Sequence, residues 1–304
     1  MTGDNAAAAS PAPPLVPVLA VVGVGLIGGS FAAALRASGA VGRVLGVGRQ
    51  AASLAKARAL GIIDEAATLE RAGQEADLIF LAAPVGATAS ILAELKPFLR
   101  PQALITDAGS TKANVVAAAR EALGERIGQF IPGHPIAGAE KTGPEAADPA
   151  LYRQRTVVLT PLAENSSAQK AALTQMWERC GARVVSMEPG VHDAALASVS
   201  HVPHLLSSVF MWQVATAQDS DLRMALAGSG FRDFTRIAAG SPEVWRDIFL
   251  TNRPAVLAEL QEVKAALERA EQALQNADGP ALQDFLERAA LARRFWGSRS
   301  GYHE

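Results

Sequence analysis

The feature that most constrains this chain is an apolar run at residues 18–22 that breaks into three spaced glycines, Gly23, Gly25 and Gly28. This pattern is typical of a strand that turns into a helix around a pyrophosphate. Gly23 permits the tight turn, Gly25 lets the backbone approach phosphate oxygens, and Gly28 lets the helix pack against the strand. The free N–H groups at the start of that helix then hold the anion. The motif predicts a dinucleotide-binding domain, with cofactor contacts at Gly23, Gly25, Leu26, Ile27 and Gly28.

Strands and helices alternate through the first half of the chain. Continuous apolar strands separated by helices indicate a parallel sheet covered on both faces. We therefore predict an α/β fold with a Rossmann-type dinucleotide-binding domain over residues 15–188. Such sheets bind ligands at the carboxyl ends of their strands, which predicts cofactor contacts at Ala83, Pro84 and Asp107. The predicted strands are residues 18–22, 43–48, 77–84, 103–107, 130–134, 156–160 and Arg183–Ser186, and the predicted helices include residues 54–60, Thr88–Leu95 and 166–180.

Beyond Pro189 the apolar spacing is helical throughout. We predict an all-helical domain over residues 189–304, attached to a complete α/β domain. Because so much apolar helix often serves subunit contact, we expect a homodimer formed through this domain. Residues 1–14, rich in Ala and Pro, are predicted to be a disordered leader. The predicted helices are residues 193–217, 222–226, 231–239, 242–250, Arg253–Gln275 and a last one beginning at Gly279.

Composition excludes several classes of protein. A formal net charge of -2 argues against a nucleic-acid partner. No Lys or Arg precedes Arg36, so the apolar residues 15–35 lack the positive flank of a signal peptide, and their glycines disfavour a membrane span. Cys180 is the single cysteine, which rules out an internal disulfide and predicts a reducing, cytoplasmic location. The histidines are not paired with cysteine at metal spacing, so no metal site is predicted.

The tip of the second predicted strand bears on the choice of cofactor. An NAD-selective protein usually carries Asp or Glu here, which accepts hydrogen bonds from the ribose hydroxyls. This chain has Gly48, Arg49 and Gln50 instead. Glycine leaves room for a 2′-phosphate and a guanidinium binds it bidentately, so we predict cofactor contacts at Arg49 and Gln50 and favour NADP. NAD is the alternative, in which Arg49 is a solvated loop charge.

Two polar residues follow predicted strands of the dinucleotide-binding domain. His134 lies just past a strand end, between Gly133 and Pro135, where the fold points toward the nicotinamide. A histidine there accepts a hydroxyl proton while hydride leaves the same carbon. The alternative is an imidazole that only holds the loop. Ser110 is predicted to donate to the same oxygen, with capping of the following helix as its alternative.

Three further candidates lie in the helical half. Arg236 occurs within a mostly apolar helix, where an unpaired guanidinium is costly, so we expect it to meet an anion. That anion is either a substrate carboxylate or an internal carboxylate such as Asp233 or Asp247. His201 and His204 are three residues apart and share a helical face; each is either a ligand contact or an ordinary core histidine.

Taken together, these motifs resemble those of the prephenate and arogenate dehydrogenases of tyrosine biosynthesis. The resemblance covers roughly residues 18–253. It implies an N-terminal dinucleotide domain and a C-terminal helical domain that dimerises, with the active site between them. The motifs that carry it are the glycine stretch up to Ser30, Thr106-Asp-x-Gly-Ser-x-Lys112, Gly133-His-Pro-Ile-Ala-Gly-x-Glu-Lys-x-Gly143, Ser200-His-x-Pro-His204, Asp233-Phe-Thr-Arg-Ile-Ala238 and Trp245-Arg-Asp-Ile-Phe249.

The resemblance also implies a reaction, the NAD(P)-dependent oxidative decarboxylation of prephenate or arogenate. Hydride moves from the hydroxyl-bearing ring carbon to nicotinamide, and the carboxylate across the ring leaves as carbon dioxide. Carried onto this sequence, His134 takes the hydroxyl proton, Ser110 bonds near that hydroxyl, and Arg236 holds the ring carboxylate. His204 and Trp245 line the substrate site in this resemblance. His201 and Glu140 are further candidates for substrate binding, and an acidic group such as Glu140 near the substrate side chain would favour arogenate.

Two other functions fit a dinucleotide domain followed by helices. A β-hydroxyacid or imine reductase is one, but the hydroxyacid enzymes use a lysine on the helical domain, and residues 186–253 contain none. A non-enzymatic NADP-sensing protein is the other. The presence of His134, Ser110 and Arg236 together argues against it.

Overall fold

A computed structural model of the chain describes residues 13–138 and 141–299. Residues 1–12 of the predicted leader and the candidate Glu140 lie outside the described residues. The chain divides into two compact units, with the boundary between Arg253 and Pro254.

The first unit carries the sheets. Its strands are β1 (Val16–Val22), β2 (Val41–Val47), β3 (Glu65–Ala66), β4 (Leu78–Leu81), β5 (Leu104–Asp107), β6 (Phe130–Ile131), β7 (Gly133–Pro135), β8 (Thr156–Leu159) and β9 (Arg183–Ser186). β1 to β6 form one parallel sheet in the order β3-β2-β1-β4-β5-β6. The order reverses direction beside β1, so the carboxyl ends of β1 and β4 flank the point where such sheets bind nucleotides. The predicted Rossmann-type α/β class is confirmed.

Helices cover both faces of this sheet. They are α1 (Leu26–Ala37), α2 (Ala51–Ala59), α3 (Leu69–Glu75), α4 (Thr88–Leu95), α5 (Ala113–Leu123) and α6 (Ser167–Arg179). On one face Phe31 of α1 packs against Phe80 of β4 and Trp177 of α6, with ring centroids 4.4 Å and 4.5 Å away. On the other face Leu92 of α4 and Val115 of α5 are buried in a second apolar cluster. The two clusters hold the sheet between its helices.

The prediction that the later strands continue the parallel sheet is wrong. β7, β8 and β9 form a separate sheet in which β7 runs antiparallel to β8 and β8 runs parallel to β9. Pro132, between β6 and β7, has no N–H to donate to a strand ladder. The chain therefore leaves the first sheet there, and His134 pairs with Val158 in the second.

Helices follow β9, as predicted, but their first segment is interrupted. They are α7 (Pro189–Leu196), α8 (Val202–Ala215), α9 (Ser220–Ala225), α10 (Ser229–Thr235), α11 (Pro242–Thr251), α12 (Arg253–Gln275) and α13 (Gly279–Arg299). The predicted helix 193–217 is split into α7 and α8 by a π-helical turn, Ala197–His201. Pro203, at the start of α8, cannot donate to the preceding turn, which accounts for the widened backbone there.

The second unit consists of α13 and all of α12 except its first residue. Both helices keep the predicted spacing of apolar residues, and many of those side chains are exposed. They include Leu257, Leu267, Leu274, Phe285, Leu286 and Leu291.

Candidate active site

The glycine turn has the geometry that its sequence predicts. Gly23 has φ +97°, and a Cβ there would lie 2.5 Å from the carbonyl oxygen of Ala82. A Cβ on Gly28 would lie 2.2 Å from the oxygen of Gly23, so α1 packs against the turn at a distance that only glycine allows. A Cβ on Gly25, by contrast, would meet no atom within 4 Å among the described residues. Gly25 thus faces open space at the mouth of the turn.

This turn fits the pyrophosphate of a dinucleotide. Gly25 is the N-cap of α1, and no described side chain caps the helix there. The first N–H groups of α1 are left facing the space in front of Gly25, which suits an anion. Leu26 and Ile27 form the first turn of this helix. Ala83 and Pro84 follow β4, next to the Ala82 oxygen that approaches Gly23.

The tip of β2 is open to solvent. Gly48, Arg49 and Gln50 are exposed. Gln50 is the N-cap of α2, and its Oε1 accepts a hydrogen bond of 3.1 Å from the hydroxyl of Ser53. In the described residues this tip carries no carboxylate, as the sequence indicated.

Asp107, predicted to contact the cofactor, is instead engaged inside the protein. Its Oδ2 accepts from Nζ of Lys112 at 2.5 Å and from the N–H of Gly109 at 2.8 Å. Its Oδ1 accepts from the N–H of Gly133 at 2.9 Å, and Nζ of Lys112 donates to the Gly133 oxygen at 2.6 Å. Burial lowers the pKa of Lys112, and the Asp107 carboxylate opposes that shift. The pair joins β5 of one sheet to β7 of the other.

His134 lies in β7 and is 9% exposed. Its Nδ1 lies 2.9 Å from Nε2 of His192, and Nδ1 of His192 lies 2.8 Å from Oδ1 of Asp193. Burial, together with the charges of His192, Lys112 and His201, holds the pKa of His134 well below its usual range. His134 is therefore a neutral imidazole at neutral pH, with one nitrogen engaged inside the protein.

Asp193 also caps a helix that is remote in sequence. Its two carboxylate oxygens accept from the backbone N–H groups of Lys112, at 2.7 Å, and Ala113, at 2.9 Å. Lys112 is the N-cap of α5. Burial raises the pKa of Asp193, but the hydrogen bonds from His192, Ala113 and Lys112 outweigh it and the pKa is lowered. The alternative in which Ser110 caps this helix is wrong, and Ser110 lies half-buried in the loop before it.

His201 ends the π-helical turn and is 1% exposed. Its Nδ1 lies 3.0 Å from the amide nitrogen of Asn252, which also donates to the backbone oxygen of Asp193 at 2.8 Å. An amide nitrogen only donates, so Nδ1 of His201 accepts and Nε2 carries the proton. Burial lowers the pKa of His201 to about 4. Within the described part of the chain Nε2 has no hydrogen-bond partner, which leaves one buried donor unused.

His204 stacks on Trp245, with ring centroids 3.5 Å apart and planes inclined by 23°. Its Nδ1 donates to the backbone oxygen of Ser200 at 2.9 Å. Burial lowers the pKa of His204, the Ser200 hydrogen bond opposes that shift, and the charge of Arg236 adds to it. His204 thus contacts Trp245 and lies within electrostatic range of Arg236.

Arg236 differs from the prediction in its surroundings. It begins a short 3-10 helix, Arg236–Ala239, and its side chain is exposed. The prediction that Arg236 is enclosed by an apolar helix is wrong, so burial alone does not require an anion beside this guanidinium. Its assignment to the substrate carboxylate stays a prediction. The cavity that Arg236 borders has a volume of about 440 Å³ and is lined by Met211, Arg232, Thr235, Arg236, Ala238 and Ala239.

Two of the predicted substrate residues, His201 and His204, lie against the ring of Trp245. The ring of His201 lies edge-on to Trp245, with centroids 6.4 Å apart, and its charge lowers the pKa of His134. The charge of Arg236 in turn lowers the pKa of His204, so these side chains lie within electrostatic range of one another. Sequence reasoning missed three members of the surrounding network, His192, Asp193 and Asn252. His192 and Asp193 could have been found from the sequence, because they are adjacent polar residues in the otherwise apolar stretch 189–197.

Two family descriptions match adjoining parts of this chain. Residues 31–186 match "Prephenate dehydrogenase, nucleotide-binding domain", and residues 188–288 match "Prephenate dehydrogenase, dimerization domain". Together they cover most of the chain and confirm the resemblance read from the motifs. They favour it over a hydroxyacid or imine reductase.

Curated relatives and solved structures support the same family. A cyclohexadienyl dehydrogenase from Zymomonas mobilis is 33% identical, over 90% of this chain and 94% of its own length. The crystal structure of prephenate dehydrogenase from A. aeolicus, in complex with hydroxyphenyl propionate and NAD+, is 34% identical with a TM-score of 0.86, covering 91% of this chain and 97% of that one. A Synechocystis arogenate dehydrogenase is 32% identical with a TM-score of 0.79, covering 92% and 99%. This chain belongs to the prephenate dehydrogenase family of NAD(P)-dependent oxidoreductases.

Proposed function

We propose that this protein converts prephenate to 4-hydroxyphenylpyruvate by oxidative decarboxylation in tyrosine biosynthesis, with arogenate as a second or alternative substrate. The observation that carries the proposal is His134, a buried neutral imidazole with its Nδ1 engaged by His192, in a chain of this family. When bound, NAD(P)+ accepts hydride from the hydroxyl-bearing ring carbon. The ring carboxylate then leaves as carbon dioxide and the ring becomes aromatic.

His134 acts as the proton acceptor in this proposal. With Nδ1 occupied, Nε2 is the nitrogen left to take the proton of the substrate hydroxyl. The lowered pKa keeps that nitrogen unprotonated at neutral pH, ready to accept. Ser110, in the loop after β5, donates a hydrogen bond near the same hydroxyl.

Arg236 holds the ring carboxylate. Burial lowers the pKa of His204 and the charge of Arg236 lowers it further, which supports a substrate site shared by the two side chains. His204, Trp245 and His201 line the site, and the unused Nε2 donor of His201 suits a polar substrate atom. Glu140, beyond the described residues, is assigned to the region of the substrate side chain.

NADP is the favoured cofactor, and NAD is the alternative. The exposed Arg49, beside Gly48 and Gln50, offers a guanidinium to a 2′-phosphate where an NAD-selective tip has a carboxylate. Gly23, Gly25, Leu26, Ile27 and Gly28 hold the pyrophosphate, with Ala83 and Pro84 nearby. The Asp107 carboxylate contributes indirectly, because it fixes the backbone at Gly133 next to His134.

The protein is a cytoplasmic homodimer in this proposal, with a dinucleotide domain over residues 15–188 and a helical domain over 189–304. The helical segment Pro189–Ala215 is long and apolar enough to cross a membrane by length and composition alone. It also carries the buried polar residues His192, Asp193 and His201, which suit a protein interior. Exposed apolar side chains such as Trp212 support subunit contact. We expect no membrane or nucleic-acid partner.

Initial rates test the proposal directly. Prephenate and arogenate, each supplied with NAD+ or NADP+, are expected to give measurable turnover, faster with NADP+. Identification of 4-hydroxyphenylpyruvate as the product from prephenate supports the reaction. Cofactor binding without turnover on either substrate would favour the NADP-sensing alternative.

A further inference from the structure

The strongest unassigned feature is the hydrogen-bonded series that joins Asp193, His192 and His134. All three side chains are buried, and His192 has no measurable exposure. The contacts are 2.8 Å from Asp193 Oδ1 to His192 Nδ1, and 2.9 Å from His192 Nε2 to His134 Nδ1. The inference below rests on the proposed role of His134 as proton acceptor.

The state of Asp193 fixes the first link. Its carboxylate accepts from the N–H groups of Lys112 and Ala113 as well as from His192, and these donors stabilise the ionised form. An ionised carboxylate only accepts hydrogen bonds, so the proton between the two side chains belongs to Nδ1 of His192.

The second link follows from the first. A neutral imidazole with a proton on Nδ1 has a lone pair on Nε2, which only accepts. His134 must then donate from Nδ1, so its own proton is there and its Nε2 is free of one. We infer that Asp193 and His192 are positioning residues that hold His134 in the tautomer whose Nε2 accepts the substrate proton.

In this inference His192 is the neutral ring that lies between Asp193 and His134. Asp193 is the one carboxylate hydrogen-bonded to His192 among the described residues. A protonated His192 would instead donate from Nε2 to His134. In that case the proton of His134 would be on its Nε2, and this nitrogen could no longer accept the substrate proton.

The direct test is the protonation pattern of the ring nitrogens in the full-length protein. Two-bond nitrogen–proton NMR spectra of protein labelled with 15N histidine show which nitrogen carries hydrogen in each of the five histidines. The His134→Asn spectrum assigns the His134 signals. We expect protonated Nδ1 in both His134 and His192 at neutral pH. A proton on Nε2 of His134 in the wild-type protein overturns the inference.

Two variants of His192 extend the test to catalysis. His192→Leu removes the acceptor, and we expect His134 to move toward the Nε2-protonated form and kcat to fall roughly 100-fold, with KM changed less than about threefold. His192→Gln places an amide oxygen within reach of His134 Nδ1. We expect its kcat to be at least about tenfold higher than that of His192→Leu. Unchanged kcat in His192→Leu, or equal losses in both variants with an unaltered His134 spectrum, contradicts the inference.

A control variant and the wild-type spectrum distinguish failure of this inference from failure of the proposed function. Val191→Ala alters the exposed neighbour in α7 and is expected to leave both the spectrum and kcat unchanged. If the wild-type protein turns over neither prephenate nor arogenate, the proposed function fails, and the spectrum still decides the tautomer. If His192→Leu does not fold, the wild-type and His192→Gln spectra decide it.

Discussion

Nζ of Lys112 lies 2.5 Å from Oδ2 of Asp107 at a point where both side chains are buried. Each also bonds the backbone of Gly133, one to its oxygen and one to its N–H. This pair fixes both polar backbone groups of the residue that precedes His134. A buried ion pair is thus used here to set the position of the candidate proton acceptor relative to the dinucleotide sheet.

Removing the ammonium should destabilise the protein strongly. Lys112→Met leaves the Asp107 carboxylate buried without its partner, and we expect the free energy of unfolding to fall by about 3–5 kcal/mol. Denaturant unfolding measures this change. The exposed Lys264, replaced by Met, is the matched control and is expected to stay within about 0.5 kcal/mol of wild type. Equal stability of the two variants would show that the buried pair does not support the fold.

The two glycines of the turn should respond differently to alanine. Gly28→Ala places a Cβ 2.2 Å from the Gly23 oxygen, and we expect a loss of about 1–3 kcal/mol in the free energy of unfolding. Gly25→Ala meets open space, so its stability should fall by less than about 1 kcal/mol.

Gly25→Ala should weaken cofactor binding although it changes stability little. The methyl group of Gly25→Ala enters the space assigned to the pyrophosphate, and titration calorimetry with NADP+ and NAD+ should show affinity reduced at least about tenfold, or about 1.4 kcal/mol. Wild-type affinity in Gly25→Ala would mean that the pyrophosphate does not lie against this turn.

Acid should destabilise the protein through its buried histidines. The folded pKa of His201 is about 4 and its ordinary value is 6.5, so between those values the unfolded state binds more protons. The free energy of unfolding should therefore fall as pH decreases from 6.5 toward 4, with His134 contributing in the same direction. His201→Asn, which keeps an acceptor for Asn252, is expected to reduce this slope. If the free energy of unfolding of the variant has the same pH dependence as that of the wild type, His201 does not contribute to the acid sensitivity.

The exposed apolar surface of the helical domain should lie at a subunit interface. Trp212 is 69% exposed, and Trp212→Glu is expected to convert dimer to monomer in light scattering after size exclusion. Leu60, 50% exposed in the dinucleotide domain, gives the control, since Leu60→Glu should remain dimeric. A monomeric wild-type protein would contradict the expected homodimer.

Much of the fold follows from local pattern. The strand and helix around Gly23, Gly25 and Gly28 were predictable because each glycine meets a steric demand within a few residues. The second sheet was not, because it depends on the break at Pro132 and on pairing between β7 and the distant β8. The short β3 and the helix α3 were not predicted from the sequence.

The site was predictable to a similar extent. His134 could be predicted because it comes at the end of an apolar run that reads as a strand. The roles of His192 and Asp193 depend on the packing of α7 beside β7 and the start of α5, which the sequence does not reveal. The reasoning on Arg236 failed because helical spacing does not reveal how much of a side chain its neighbours cover.

The account depends most on His134 as the proton acceptor, and steady-state kinetics of His134→Asn with prephenate tests it most directly. We predict that kcat falls roughly 10²–10⁴-fold while KM changes little, because the variant removes a proton acceptor rather than a binding group. Arg236→Gln, the comparison variant, should mainly raise KM. Wild-type kcat in His134→Asn, or equal effects of both variants on both parameters, would contradict the account.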